Sequence, residues 1–359
     1  MNQCFGVSGA SGNNPRAPPV RSTMKAIVYE RSGGSDVLSL TDRPVPEPGP
    51  GEVRVKVAFS GVNPTDWKSR TNAQPGAGAP QVPNQDGSGV VDAVGPGVDA
   101  ARVGERVWIW EAAWQRTDGT AQEYVVLPAR QAVPLPAHAS LELGAGLGIP
   151  AMTAHRALTL AEGGPVRLAP GVLADRTVLV AGGAGAVGNA AIQLARWAGA
   201  TVLTTVSGPE KAKLAEAAGA HHVVDYRAQD AASAIRALAP EGVDLVVEVA
   251  PTANVALDLA VLAPNGTVAF YADGSGPEVT IPVRDSMFRN LRWLGILVYT
   301  IPDAAKLAAV AAISDAVAAG ALRGGEQAGL PWHHYPLPRT ADAHDAVQSG
   351  AVGKVLIDL

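Results

Sequence analysis

The chain has 359 residues, 47% hydrophobic and 17% charged, with a formal net charge of -5 at pH 7. That length exceeds one typical domain and points to two domains sharing a cleft, while the acidic balance argues against nucleic acid or an anionic membrane as the main partner. No apolar run approaches the ~18 residues of a membrane span, and the single cysteine, Cys4, excludes an intramolecular disulfide and any multi-cysteine metal site.

Residues 1–23 are rich in Gly, Asn, Pro and Ser and lack the apolar stretch of a signal peptide, so they read as a disordered extension and the location as cytoplasmic by default. From Met24 to about Pro136 short strands and turns follow one another. Val53, Val55 and Val57 alternate as a half-buried strand should, and "GSGVVDAVGPGV", "GERVWIW" and "AQEYVVLP" continue the pattern. In "WIWEAAWQRTDG", Trp108 belongs to a strand core, whereas Trp114 lies beyond the strand and is a candidate wall for a planar substrate. Near Leu141 the period changes to strands alternating with helices, at 187–198, 209–218, 230–238 and 253–262. Apolar strands separated by helices imply a parallel sheet covered on both faces. "LGILVYTI", 294–301, reads as a strand. A helix over about 303–320 precedes the closing strand "GKVLIDL", which the β-rich first unit would host.

"GAGAVG", Gly183 to Gly188, follows a strand and opens a helix, the context in which G-x-G-x-x-G holds a dinucleotide pyrophosphate. NAD sites place an acid ~20 residues beyond the glycines, at the end of the second strand, for the ribose 2′-OH. Ser207 stands there instead, with Lys211 one helical turn on. A hydroxyl and a cation suit a 2′-phosphate, so NADPH is the expected cofactor; Glu210 is the one residue nearby that opposes it.

"SGVNPTDWKSR", "NQDGSGVVDAVGPGV", "GIPAMTAHRAL", "AGGAGAVGNAAIQLA" and "GKVLIDL" together resemble the medium-chain dehydrogenase/reductase superfamily. Within it the chain is similar to the zinc-independent NADPH:quinone oxidoreductase branch, the relatives of zeta-crystallin, over Met24 to Leu359. The resemblance implies an α/β protein. Its Rossmann doubly wound parallel sheet would span 148–300, and its GroES-like β-rich catalytic domain would be formed from both ends of the chain, 24–147 and 301–359. Gly183, Gly185, Ala186, Val187 and Gly188 would hold the pyrophosphate, Ser207 and Lys211 the 2′-phosphate, and Tyr226 the adenosine end. Thr252 and the backbone at Phe270, Tyr271, Ala272 and Asp273 would line the nicotinamide half, and Asn63 would approach nicotinamide and substrate. The resemblance also implies a homodimer paired through 291–298. Zinc-dependent members carry a ligand Cys where this chain has Asn63 and a Gly-His-Glu where it has Gln85, Asp86 and Gly87, so no metal is expected. Where zeta-crystallin relatives carry a Tyr, Lys68 departs from them toward the enone and enoyl reductases.

Without a metal to stabilise an alkoxide, hydride delivery to a conjugated acceptor is the easier reaction, because the charge spreads into an enolate or hydroquinone anion. Quinones and α,β-unsaturated carbonyls are therefore the expected substrates. Asn63 and Lys68 are the candidate catalytic donors at the developing oxyanion; the bland alternatives are that Asn63 caps the turn before Pro64 and that Lys68 is solvated. Asp66 either tethers this loop or pairs with Lys68. His221 and His222 start a strand, His333 and His334 fall in a late loop, and none has ligand spacing. Rival readings are an enoyl-thioester reductase and a binding protein that keeps the cofactor without turnover.

Overall fold

The structure, a computed structural model, describes residues 1, 22–72 and 80–359. The extension expected at the amino end, with Cys4, falls mostly outside the described residues. In the β-rich unit, a seven-stranded sheet runs in the order Trp332–Pro336, Lys354–Asp358, Glu52–Val62, Asp86–Val94, Arg106–Ile109 and Ala132–Pro134, with Tyr124–Pro128 pairing on Glu52–Val62. Val53, Val55 and Val57 are buried on its inner face together with Val91, Val107 and Leu127, as their alternation requires. The closing strand pairs antiparallel with Glu52–Val62, Val355 opposite Val62, so both ends of the chain build this unit.

A second sheet holds six strands in the order His222–Asp225, Thr201–Val206, Thr177–Ala181, Val243–Glu248, Leu262–Phe270 and Arg292–Gly295, every pairing parallel. Numbered by appearance in the chain this is 3-2-1-4-5-6, the Rossmann order, whose crevice opens between Thr177–Ala181 and Val243–Glu248. The helix Leu141–Leu158 starts at a Ser140 cap and packs against both sheets. Its Leu147 and Met152 share one core with Trp108 and Trp110 of the β-rich unit, with Ile192 of the other and with Ile313 of the helix Asp303–Ala318. The expected division between residues 147 and 148 falls inside this helix.

Two expectations need correction. The strand at the end of the second sheet stops at Gly295. The rest of "LGILVYTI" turns through one helical turn at Val298–Thr300, because Val298 and Tyr299 both drop into the core instead of alternating. His333 and His334 lie in the strand Trp332–Pro336, which pairs parallel with the closing strand, not in a loop. No helix among the described residues is long and apolar enough to cross a membrane.

Candidate active site

The glycine turn leaves the strand Thr177–Ala181 through Gly182, whose φ of 70° suits glycine, and enters the helix Ala186–Trp197. A Cβ at Gly183 would collide with Thr204 Oγ1 and one at Gly188 with the carbonyl of Gly182, so strand, turn and helix close on each other only without side chains there. At Gly185, the helix N-cap, an added Cβ would meet nothing nearer than 3.4 Å, and no side chain caps the turn. The space beside Gly185 and the first-turn N–H groups at Ala186 and Val187, left without a side-chain cap, suit a pyrophosphate. At the end of the next strand Lys211 Nζ donates to Ser207 Oγ at 2.9 Å, both half-buried. Glu210 is spent on Lys213, 2.9 Å away. Half-exposed Tyr226 sits beside them, its N–H donated to the Val206 carbonyl. This cradle fits a nicotinamide dinucleotide.

Where the nicotinamide half is expected, the hydroxyl of Thr252 shares its hydrogen between the carbonyls of Gly276 and Glu278, each at 3.1 Å, so this side chain fastens the loop after the fifth strand. Phe270 and Tyr271 are tied down through Ile296 N and the Glu248 carbonyl, and Ala272 and Asp273 follow them out of the sheet. Lys68 Nζ lies 2.5 Å from Asp273 Oδ1, joining the helix Pro64–Asn72 of one domain to that loop of the other. Lys68 is thus neither freely solvated nor paired with Asp66. It spans the cleft.

Asn63 follows the long strand Glu52–Val62 and is buried, with its side chain turned inward and not capping the helix. Its Nδ2 donates to Asp86 Oδ2 at 2.7 Å, and its Oδ1 accepts from Lys354 Nζ at 2.7 Å. Asp86 Oδ1 takes the N–H of Ile149 at 2.9 Å, from the helix that joins the domains. Asp66 does tether the loop, accepting the Asn63 N–H at 2.7 Å, and its Oδ1 has no partner among the described residues. Opposite this cluster, Trp114 stacks on Tyr299 with ring centroids 4.6 Å apart, and the Tyr299 hydroxyl lies 3.2 Å from Thr65 Oγ1. Asn63 and Asp66 are thus joined directly, and Trp114 is linked to the same helix through Tyr299 and Thr65.

Burial, and next the charge of Asp86, push the Asp66 carboxyl up to about 8. An acid raised in the folded state keeps its proton where the unfolded chain has lost it, so its contribution falls as pH rises from the unfolded value, about 4, through about 8. Asp66→Asn, which can still accept the Asn63 N–H, should shrink that loss, so that the variant gains on the wild type between about pH 5 and about pH 9. Urea denaturation at the two pH values measures it; equal pH dependence in both proteins would assign the loss elsewhere.

Residues 49–137 match the family model described as alcohol dehydrogenase GroES-like domain, and residues 186–314 that described as zinc-binding dehydrogenase. Human quinone oxidoreductase is 31% identical over an alignment of 339 positions that covers 93% of this chain and 97% of the human one. The chain belongs to the medium-chain dehydrogenase/reductase superfamily, in its quinone oxidoreductase branch. It is an oxidoreductase. Among solved superfamily structures, a mycobacterial protein complexed with NADPH is 30% identical with a TM-score of 0.77, covering 94% of this chain and 100% of that one. An NAD-dependent alcohol dehydrogenase is 31% identical with a TM-score of 0.80 over the same shares.

The name of the second family model raises zinc, and the residues here do not fit it. Between the Asn63 amide and the Asp86 carboxylate stands the buried ammonium of Lys354, 2.7 Å and 3.5 Å from them, a cation that offers a metal no lone pair. Among the described residues no three of His, Cys, Asp and Glu are grouped to hold a metal. The sequence pattern does not single out Lys354 or Tyr299, and it marks Asp86 only as a place where a superfamily ligand is missing. The one signal for Lys354 is a charge at the head of the apolar run Val355–Ile357, which burial can accommodate only with partners.

Proposed function

We infer that the protein passes hydride from NADPH to quinones or α,β-unsaturated carbonyl compounds without zinc, in the cytoplasm and as a homodimer. The observation that carries the reading is the cluster of Asn63, Asp86 and Lys354, which puts an amide donor where the superfamily's metal chemistry would act. When bound, NADPH supplies two electrons and a hydrogen as hydride; the acceptor's oxygen becomes anionic and is then protonated. A neutral amide N–H stabilises a delocalised oxyanion adequately, whereas a localised alkoxide calls for a stronger Lewis acid. Ser207 and Lys211, already paired at the ribose end, support NADPH over NADH. Trp114, stacked on Tyr299, supports a flat acceptor. The free edge strand Arg292–Gly295, with Leu297 and the neighbouring Met287 and Phe288 exposed, supports pairing of two copies.

The test follows NADPH and, in parallel, NADH absorbance against quinones, enones and enoyl thioesters with a chelator present, and light scattering of the same sample. Chelator-resistant turnover with NADPH, fastest on a quinone or enone, from a particle of twice the chain mass is the expected result. Equal use of NADH would remove the 2′-phosphate role of Ser207 and Lys211. Preference for enoyl thioesters, or tight NADPH binding with no turnover, would replace the reaction assigned here, and a monomer at micromolar concentration would end the dimer reading.

A further inference from the structure

The Asn63 amide is held at both of its polar atoms by groups of opposite character. Lys354 Nζ donates to Oδ1, and Nδ2 donates to Asp86 Oδ2, each at 2.7 Å. Turned by half a rotation, the amide would set Nδ2 against the ammonium and Oδ1 against the carboxylate, two repulsive pairs in a dry interior. Only one orientation is therefore stable. It spends one hydrogen of Nδ2 on Asp86 and leaves the other without an acceptor among the described residues.

Lys354 reaches this point along a passage made by small residues. A Cβ at Gly61 would lie 3.0 Å from Lys354 Cε and collide with the Ala145 carbonyl, and one at Gly146 would lie 3.9 Å from Lys354 Cγ. A Cβ at Gly148 would collide with Asp86 Oδ1, which that helix holds through Ile149 N. Strand and helix thus leave room for one buried lysine stem and one carboxylate, and both converge on Asn63. The ammonium is closer to the Asn63 oxygen than to Asp86 Oδ2, 2.7 Å against 3.5 Å, so neutralising Asp86 does not by itself account for its placement.

We propose that Lys354 is a positioning residue, its ammonium fixing the Asn63 amide so that the unspent Nδ2 hydrogen is presented to the oxygen of the hydride acceptor. This rests on the reading of Asn63 as the donor in the proposed reaction. Lys354 touches neither cofactor nor acceptor and acts through Asn63.

The experiment compares wild type with Lys354→Met, with Lys354→Met/Asp86→Asn, which leaves no unpaired buried charge if the single variant fails to fold, and with each of these in an Asn63→Ala background. Two quantities are read: the proton–nitrogen NMR signals of isotope-labelled asparagine side chains, with Asn63 assigned by its loss in Asn63→Ala, and kcat and KM with NADPH and para-benzoquinone. Removing the ammonium should move or broaden the Asn63 amide pair and lower kcat about tenfold or more with the KM for NADPH unchanged, part of the ~100-fold a missing oxyanion donor costs. In the Asn63→Ala background the same substitutions should cost nothing further in kcat. Unchanged Asn63 signals, or kcat losses that multiply with that of Asn63→Ala, would overturn the proposal. The NMR signals decide the positioning even if the wild-type chain reduces none of the acceptors, an outcome that overturns the reduction reading instead.

Discussion

Asn63→Ala is expected to lower kcat for quinone or enone reduction about 100-fold to 1,000-fold, the effect of deleting one preorganised oxyanion donor, while leaving NADPH affinity unchanged. The separation follows from the architecture. The cradle at Gly183–Gly188, Ser207 and Lys211 belongs to the Rossmann sheet and makes no hydrogen bond to Asn63, which follows a strand of the other domain. The fold should survive, because Lys354 Nζ and Asp86 Oδ2 already stand 3.5 Å apart and can close that gap when the amide is gone. The loss in stability is then that of two charge-assisted hydrogen bonds, partly offset by the closer ion pair, about 1–3 kcal/mol. Stopped-flow turnover, a titration of NADPH fluorescence and a urea melt give the three numbers. A variant with wild-type kcat would remove Asn63 from the chemistry, and one with lost NADPH binding would show that the cleft cluster shapes the cofactor site as well.

The features legible in the sequence are those that depend on near neighbours in the chain. Val53, Val55 and Val57 declare a strand face because burial on a pleated sheet has a period of two. Gly183 and Gly188 declare a turn because the helix must close onto the strand within a few residues. Ser207 and Lys211 meet because four residues at a strand end and helix start bring side chains together. The same logic fails for partners brought together by the fold alone. Asn63 and Lys354 lie 291 residues apart, and Lys68 and Asp273 lie 205 apart, so no periodicity in either segment could announce the pair. The apolar run 294–301 misleads for a related reason. Continuous apolarity says that a segment is buried, and Tyr299 is buried by a turn that carries its ring against Trp114 instead of by a continuing strand.

Lys306→Met should destabilise the protein by about 3–5 kcal/mol, the cost of stranding one member of a buried ion pair. Lys306 Nζ lies 2.7 Å from Glu111 Oε2 with both side chains less than a tenth exposed, and it also donates to the Tyr299 carbonyl at 2.7 Å. Removal of the ammonium strips the Glu111 carboxyl, its pKa already raised by burial, of its ion-pair partner and leaves it with an Oε1 that has no partner among the described residues. Glu111 moreover holds a left-handed φ of 52°, a conformation that a non-glycine residue keeps only where its surroundings impose it. Gln131 Nε2 and Trp114 N, both donating to the Glu111 carbonyl, would retain the backbone there without the side-chain anchor. Because one ammonium ties the loop of Trp114 to the turn of Tyr299, its loss should also loosen their stack and raise the KM for a flat acceptor more than that for NADPH. Glu111→Gln/Lys306→Met, which buries no lone charge, should recover most of the stability but not the KM, since the neutral pair restores electrostatic balance without restoring the tie. Chemical denaturation of the two variants beside wild type measures the first claim and acceptor titration the second. A single variant as stable as wild type, or a double variant no more stable than the single, would show that the stability does not rest on this ion pair, and an unchanged acceptor KM would show that the pair does not hold the two aromatic segments together.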